Sequence, residues 1–273
     1  MRGHMEESLK EKIRGIVREA GKILLSADDI ASAVTQKEGF SNYVTEFDKR
    51  TQEFLIRELT AAVPDATFIG EEEGHDAFHE ENAHGLAFVL DPIDGTSNFI
   101  KGLRPSVISC GLLKDGKPYF GLVYNPYAGQ LFEAEKGCGA FMNGKLIHTS
   151  TDPLKNSLVI FGSTPYDLDM HKLAADTMLF YMDRCIDVRN LGTAAWDLCQ
   201  VAAGTAGLFF EWKLQLWDYA AGALIVTEAG GAVTDGEGVP VKFRGKQPIF
   251  AASAGLLNET YLPKDLGFKE SRG

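Results

Sequence analysis

Two carboxylates three residues apart, Asp91 and Asp94, stand at the end of an apolar run, with Pro92 and Ile93 between them. The run, residues 86–90, reads as a buried strand. Pro92 fixes φ and lacks an N–H, so the turn after it is stiff. Asp91, Asp94 and the Ile93 carbonyl can then converge on one point. That is an all-oxygen cluster, the ligand type that suits Mg²⁺ or Mn²⁺. Gly95 lets the backbone approach a ligand closely. Thr96, Ser97 and Asn98 are helix N-cap residue types, and a helix start offers free N–H groups to an anion. A divalent metal beside an anion-binding turn points to phosphate chemistry. Taken alone, however, Asp-Pro and Asp-Gly pairs are ordinary turn residues. The reading therefore depends on whether other elements bring further ligands to this turn.

The elements that must position it follow from periodicity. Leu9, Ile13, Ile16, Val17, Ala20, Ile23 and Leu24 recur at helical spacing, predicting an amphipathic helix over 6–26. Residues 27–41 break the pattern and read as a polar loop, in which Lys37 is a solvated lysine or a lid residue reaching a phosphate. A second helix is expected from Asp48 to about 62, with Thr45 and Asp48 spaced as a capping box. Residues 67–70 form a short strand that ends in Glu71, Glu72 and Glu73. From 106 to 145 the chain alternates short strands with glycine-containing turns, an antiparallel meander. Beyond Pro153 strands alternate with helices: strands at 157–162, 186–190, 207–212, 232–234 and 248–252, and helices at 168–182, 193–205, 217–230 and 256–261. This divides the chain into an α+β half, 5–148, carrying most of the acidic ligands, and an α/β half, 149–265, that completes the site.

The full sequence of 273 residues is 45% hydrophobic, enough for one large domain or two packed halves. A net charge of −11 argues against nucleic acid or an anionic membrane as partner. It does not exclude an anionic substrate, because a bound metal reverses the local sign. Cys110, Cys138, Cys185 and Cys199 show no C-x-x-C pairing and read as reduced residues of a cytoplasmic protein. No apolar stretch is long enough for a membrane span, residues 1–4 read as an expression scar, and the start lacks the apolar region of a signal peptide.

Five acids now stand at element ends: Asp48, Glu71, Asp91, Asp94 and Asp218. Strand ends and helix starts are where layered α/β folds place ligands. Individually each has an ordinary reading, Asp48 and Asp218 as helix caps and Glu71 as part of a solvated acidic loop. Trp196, Trp212 and Trp217 read as core or interface residues. Together, four blocks resemble the signatures of the inositol monophosphatase family: Val44-Thr45-Glu46-Phe47-Asp48, Gly70-Glu71-Glu72, Asp91-Pro92-Ile93-Asp94-Gly95-Thr96 and Trp217-Asp218-Tyr219-Ala220-Ala221-Gly222. The stretches 137–144 and 191–195 resemble it as well, and the likeness runs from about Leu9 to Ser253. Ser97 stands where Thr is common, and Glu73 has no counterpart role.

The resemblance implies a layered α-β-α-β-α sandwich and a Mg²⁺-dependent, lithium-sensitive phosphomonoesterase that forms homodimers. It implies that Glu71, Asp91 and the Ile93 carbonyl hold one metal, that Asp91, Asp94 and Asp218 hold a second, and that Glu71 helps with a third. Thr96 and Asp48 would orient the attacking water. Gly95 and Thr96 N–H groups would grip the phosphate, and Gly192, Thr193, Ala194, Glu211 and Asp94 would face the alcohol. Two ions roughly 3.5–4 Å apart can activate water and neutralise the leaving oxygen together. With no Ser–His or Cys–His arrangement visible, no covalent phosphoenzyme is expected. The expected substrate is a small phosphorylated polyol or sugar, foremost myo-inositol monophosphate. Fructose-1,6-bisphosphatase, histidinol-phosphatase and 3′-phosphonucleotide phosphatase chemistry are the alternatives, and Lys101, Arg104 and Arg189 are the cations that could meet a second phosphate. From another class comes a catalytically silent metal- or phosphate-binding regulatory protein, which would be expected to lack Asp48, Thr96 or Glu71.

Overall fold

A computed structural model describes residues 4–27, 34–36, 43–72, 75 and 77–257. In chain order its elements are α1 (Glu7–Leu25), β1 (Val34–Gln36), β2 (Tyr43–Thr45), α2 (Glu46–Ala62), β3 (Thr67–Gly70), β4 (Leu86–Asp94), α3 (Thr96–Lys101), β5 (Val107–Lys114), β6 (Lys117–Asn125), β7 (Gln130–Glu135), β8 (Ala140–Met142) and β9 (Lys145–Ile147). There follow β10 (Leu158–Phe161), α4 (His171–Met182), β11 (Asp187–Arg189), α5 (Ala194–Ala202), β12 (Leu208–Leu214), α6 (Leu216–Glu228), β13 (Ala232–Thr234) and β14 (Gln247–Ala252).

β3 to β9 form a seven-stranded sheet in sequence order. A five-stranded sheet runs β11-β10-β12-β14-β13. Strand alternation decides what lies between them. Phe88 and Leu90 of β4 point into a core shared with α1 and α2, which includes Ile13, Val17, Leu55 and Leu59. Ala87 and Val89 point the other way, into a core with α5, α6 and Phe209, Ile249 and Ala251 of the second sheet. On the far face of that sheet Leu208, Phe210, Trp212 and Phe250 pack with Ala174 and Tyr181 of α4. The layers are therefore α1/α2, sheet, α5/α6, sheet, α4, the expected α-β-α-β-α sandwich. α6 lies close to the larger sheet because Gly111 and Gly121 leave room for it; a Cβ on Gly121 would come within 3.0 Å of the Ala221 Cα. Ala220 and Ala221 of the Trp217–Gly222 block therefore serve packing.

Several expectations are refined. The first sheet is not wholly antiparallel, since β3 runs parallel to β4. β4 continues past Leu90 to Asp94, with a register shift between Asp91 and Asp94. In the stretch read as a loop, β1 pairs with β2. Lys37 and Glu73 lie outside the described residues. The last predicted helix is, as far as it is described, a single 3₁₀ turn at Ala254–Leu256. Trp212 is core, while Trp196 and Trp217 pack at the edge of the central core. Among the described residues no helix is long and apolar enough to cross a membrane.

Candidate active site

The carboxylates meet where the inner faces of the two sheets and the starts of the central helices converge. The parallel register pairs Gly70 with Leu90, so the residues that follow, Glu71 and Asp91, emerge side by side. The Glu71 N–H donates to the Leu90 carbonyl at 3.2 Å, holding that step. Behind it, Gln52 of α2 accepts the Glu72 N–H at 3.0 Å. Asp91 continues the face of Ala87 and Val89, which looks toward α6. Ser109, opposite Asp91 on β5, donates from Oγ to the Trp217 carbonyl at 3.1 Å and ties the start of α6 to this spot.

Backbone donors orient Asp91, Asp94, Asp218, Asp48 and Glu211. Asp91 Oδ1 accepts the Ile93 N–H at 3.0 Å, closing the turn around Pro92. Asp94 accepts from Ala194 and Ala195 N–H at 3.2 and 2.6 Å, so it caps the first turn of α5 from outside. Asp218 Oδ2 accepts the Gln215 N–H at 2.7 Å; it lies in the first turn of α6 and is not the N-cap. Asp48 sits in the predicted capping box, accepting the Thr45 N–H at 2.7 Å. Its other oxygen faces the Thr96 hydroxyl at 3.4 Å, and that hydroxyl also lies 3.1 Å from the Ile93 carbonyl. Glu211 lies midway along β12, just before a register shift, and its Oε1 accepts the Thr164 N–H at 3.0 Å.

The turn after Asp94 departs from the expectation of an N-cap among Thr96, Ser97 and Asn98. Gly95 is the N-cap, in a left-handed conformation, and α3 starts at Thr96. A Cβ on Gly95 would overlap the Thr193 hydroxyl and stand 3.2 Å from the Gly192 carbonyl. Asn98 binds the two halves together: its amide donates to the Leu191 carbonyl at 2.7 Å, with the Pro105 carbonyl and Thr193 Oγ1 at 3.0 and 3.1 Å. Thr193 is the N-cap residue of α5, but its hydroxyl makes no capping bond and donates instead to the Pro105 carbonyl. Gly95, Gly192, Thr193 and Ala194 thus form one contiguous surface beside Asp94.

The electrostatics report the same convergence. Burial, and then the charges of Glu71, Asp94, Asp218 and Asp48, hold the Asp91 carboxyl well above the usual range. Burial raises Asp94 to about 7, against the opposing Ala195 N–H. Burial and then the Asp94 charge raise Asp218 to about 8. Glu211 is raised to about 8 by burial and then by Asp218. Among the described residues no Lys or Arg forms an ion pair with Asp91, Asp94 or Asp218. Buried carboxylates crowded in this way call for compensating positive charge, and their all-oxygen donor set fits a hard divalent cation. Lys101, Arg104 and Arg189 form no ion pair to these acids either.

Sequence reasoning missed three supports. Asp197 of α5 is buried, and its carboxyl, raised by burial and then by Asp94 and Glu211, faces the Thr193 N–H. Thr164 and Gln52 hold Glu211 and Glu72. Nothing in their spacing distinguishes them: Gln52 and Thr164 act across 20 and 47 residues, and Asp197 is one more acid within a helix.

A layered sandwich whose buried carboxylates gather beside a left-handed glycine and a helix start offers the oxygen donors and the N–H groups that a phosphatase-type site needs. A model of the inositol monophosphatase family matches residues 5–265, and the chain belongs to that family. It is 33% identical to an inositol monophosphatase of Dictyostelium discoideum over 229 residues, 82% of this chain and 83% of that protein. It is 31% identical over 223 residues, 81% of this chain and 79% of the other, to a protein of Xylella fastidiosa named Nus factor SuhB. Among solved structures, a Thermotoga maritima IMPase superposes with a TM-score of 0.81 at 30% identity, covering 94% of this chain and 96% of that one.

Proposed function

We propose that this protein hydrolyses a phosphate monoester of a small polyol or sugar, foremost myo-inositol monophosphate, with Mg²⁺ as cofactor. The observation that carries the reading is the convergence of Glu71, Asp91, Asp94 and Asp218 beside the Gly95–Thr96 helix start. Glu71, Asp91 and the Ile93 carbonyl would hold one ion, and Asp91, Asp94 and Asp218 a second. When bound, such ions neutralise phosphoryl oxygens and make nearby water more acidic. The chain's own residues supply the rest. Asp48 and Thr96 form a hydroxyl–carboxylate pair that can take a proton from water and aim its oxygen. The N–H groups at Gly95 and Thr96 face the phosphate from the start of α3. Glu211, Thr193 and Ala194 face the alcohol side. No side chain is called on as a nucleophile, consistent with phosphoryl transfer by positioning and charge neutralisation.

The test is phosphate release from a panel of inositol, sugar and nucleotide phosphates, titrated with Mg²⁺ and Li⁺. Mg²⁺-dependent release that is highest for inositol monophosphate is the expected result. No release from any of them would favour a regulatory, non-catalytic role.

A pH dependence follows from the crowded acids. Their folded-state values lie above the unfolded ones, so the metal-free folded chain holds more protons than the unfolded chain between about pH 4 and 8. Stability is then fullest near the unfolded values and is lost as pH rises through about 7 and 8. Thermal melts of chelator-treated protein should show Tm falling from pH 5 to pH 8. Added Mg²⁺ should raise Tm more at pH 8 than at pH 5.5, since its ligands bind deprotonated. A metal-free Tm that is flat or rising across this range would contradict the crowding.

For assembly, Leu179, Met182 and Ile186 stand 48–63% exposed around the end of α4, beside β11, the edge strand of its sheet. We read this apolar face as the homodimer contact. Light scattering should give twice the chain mass, and Ile186→Asp should shift it toward the single-chain mass; an Ile186→Asp protein that stays dimeric would place the contact elsewhere.

A further inference from the structure

We propose that Tyr166 is a specificity-determining residue: its side chain forms a wall of the seat for the substrate's alcohol, favouring a rigid cyclic polyol or sugar over a flexible acyclic one. The inference rests on the phosphate-ester reading above and refines its substrate side. Residues 162–167 connect β10 to a 3₁₀ turn, Leu168–Met170. The connection is anchored on both sides of Tyr166. Upstream, the Gly162 N–H donates to the Phe210 carbonyl at 2.9 Å, and a Cβ on Gly162 would collide with the Glu211 carboxyl. Thr164 then donates its N–H to Glu211. It does so with φ at 50°, a conformation that a β-branched residue resists and that persists only where its surroundings impose it. Downstream, Asp167 is clamped by Lys213 Nζ at 3.1 Å and Lys246 Nζ at 2.5 Å.

On its α4 side the connection borders an open groove of about 290 Å³, lined by Phe161, Ser163, Pro165, Ala174 and Met178. Two of the anchoring side chains, Glu211 and Lys213, belong to β12. Between them Tyr166 is 56% exposed, a large aromatic surface left open in a chain that buries most of its others. Its phenol nevertheless senses the site: burial of the hydroxyl end, then the charges of Glu71, Asp218, Asp91 and Asp94, keep its proton on. A neutral phenol is a hydrogen-bond donor, and its ring offers a flat apolar face. That pair matches a cyclic polyol, which presents a C–H face and hydroxyl edges. An acyclic ester such as glycerol 2-phosphate offers no such face.

The experiment compares wild type, Tyr166→Phe and Tyr166→Ala, as the whole chain with Mg²⁺, on myo-inositol 1-phosphate and glycerol 2-phosphate. Tyr166→Ala should raise KM for the inositol ester about tenfold, in the range for one lost substrate contact. Its kcat should stay within about twofold, because the contact is shared by ground and transition states. The glycerol ester should be nearly unaffected, and Tyr166→Phe should fall between. Equal losses on both substrates, or none on either, would overturn the proposal while leaving the phosphatase reading intact. Wild type that releases phosphate from neither ester would overturn both.

Discussion

Asp91→Asn should lower kcat by at least ~10³, the scale for removing one major electrostatic contribution in a closed site. The fold should survive, and the metal-free protein should gain stability. Asn keeps an oxygen to accept the Ile93 N–H, so the turn around Pro92 retains its hydrogen bond. It also removes one of five mutually repelling carboxylates, whose charges raise Asp91 in the order Glu71, Asp94, Asp218, Asp48. Asp218→Asn should behave alike, since its amide oxygen can still accept from Gln215. Steady-state kinetics at saturating Mg²⁺, with melting curves of chelated protein, separate the two effects. Near-normal turnover in either variant would sink the metal-ligand assignment. Loss of both activity and fold would mean that the carboxylates serve structure.

Gly95→Ala should act by a different route and cost both stability and turnover. The position has φ at 88°, which an L side chain resists by about 1–2 kcal/mol. The added Cβ would also meet Thr193 Oγ1 and the Gly192 backbone, which belong to the other half of the chain. Overpacking of this kind costs a further ~1–3 kcal/mol. At roughly 2–4 °C per kcal/mol for a domain of this size, Tm should fall by about 5–15 °C. With Gly95 and Thr96 seating the phosphate as proposed, displacing them by a fraction of an ångström to one ångström should cut kcat/KM by ~10² or more. Gly85→Ala is the matched control: φ is 68°, but nothing lies within 4 Å of the new Cβ. It should show the conformational cost alone, with unchanged kinetics. If both variants lose the same stability and neither loses activity, the contact between Gly95 and Thr193 has no functional weight.

Much of the architecture was legible because its signals are local. The stripe of α1, the Thr45–Asp48 capping box and the hairpin turns each fall within a few residues, and all appear in the structure. The blocks around Asp48, Glu71, Asp91 and Asp218 were legible as residue types at element ends. The N-cap at Gly95 was not, because Thr96, Ser97 and Asn98 are better caps by type. A left-handed glycine, required by the approach of residues 192–193, decides where α3 starts.

The sequence by itself determined which groups are available: oxygen ligands, a stiff turn, small residues in α6 and an apolar pattern that builds five layers. Only the tertiary structure decided which of them meet. The parallel pairing of β3 with β4 sets Glu71 beside Asp91, the first turn of α5 takes hold of Asp94, and Thr164 takes hold of Glu211 across 47 residues. The physical reason is range. Helical periodicity and capping act over a few neighbours, whereas strand partnering and buried hydrogen bonds join segments whose separation in the chain leaves no local trace. Asp91 and Asp94 show both levels at once: their spacing supplies a turn lined with oxygens, and the packing of two sheets around α5 and α6 surrounds that turn with the other carboxylates.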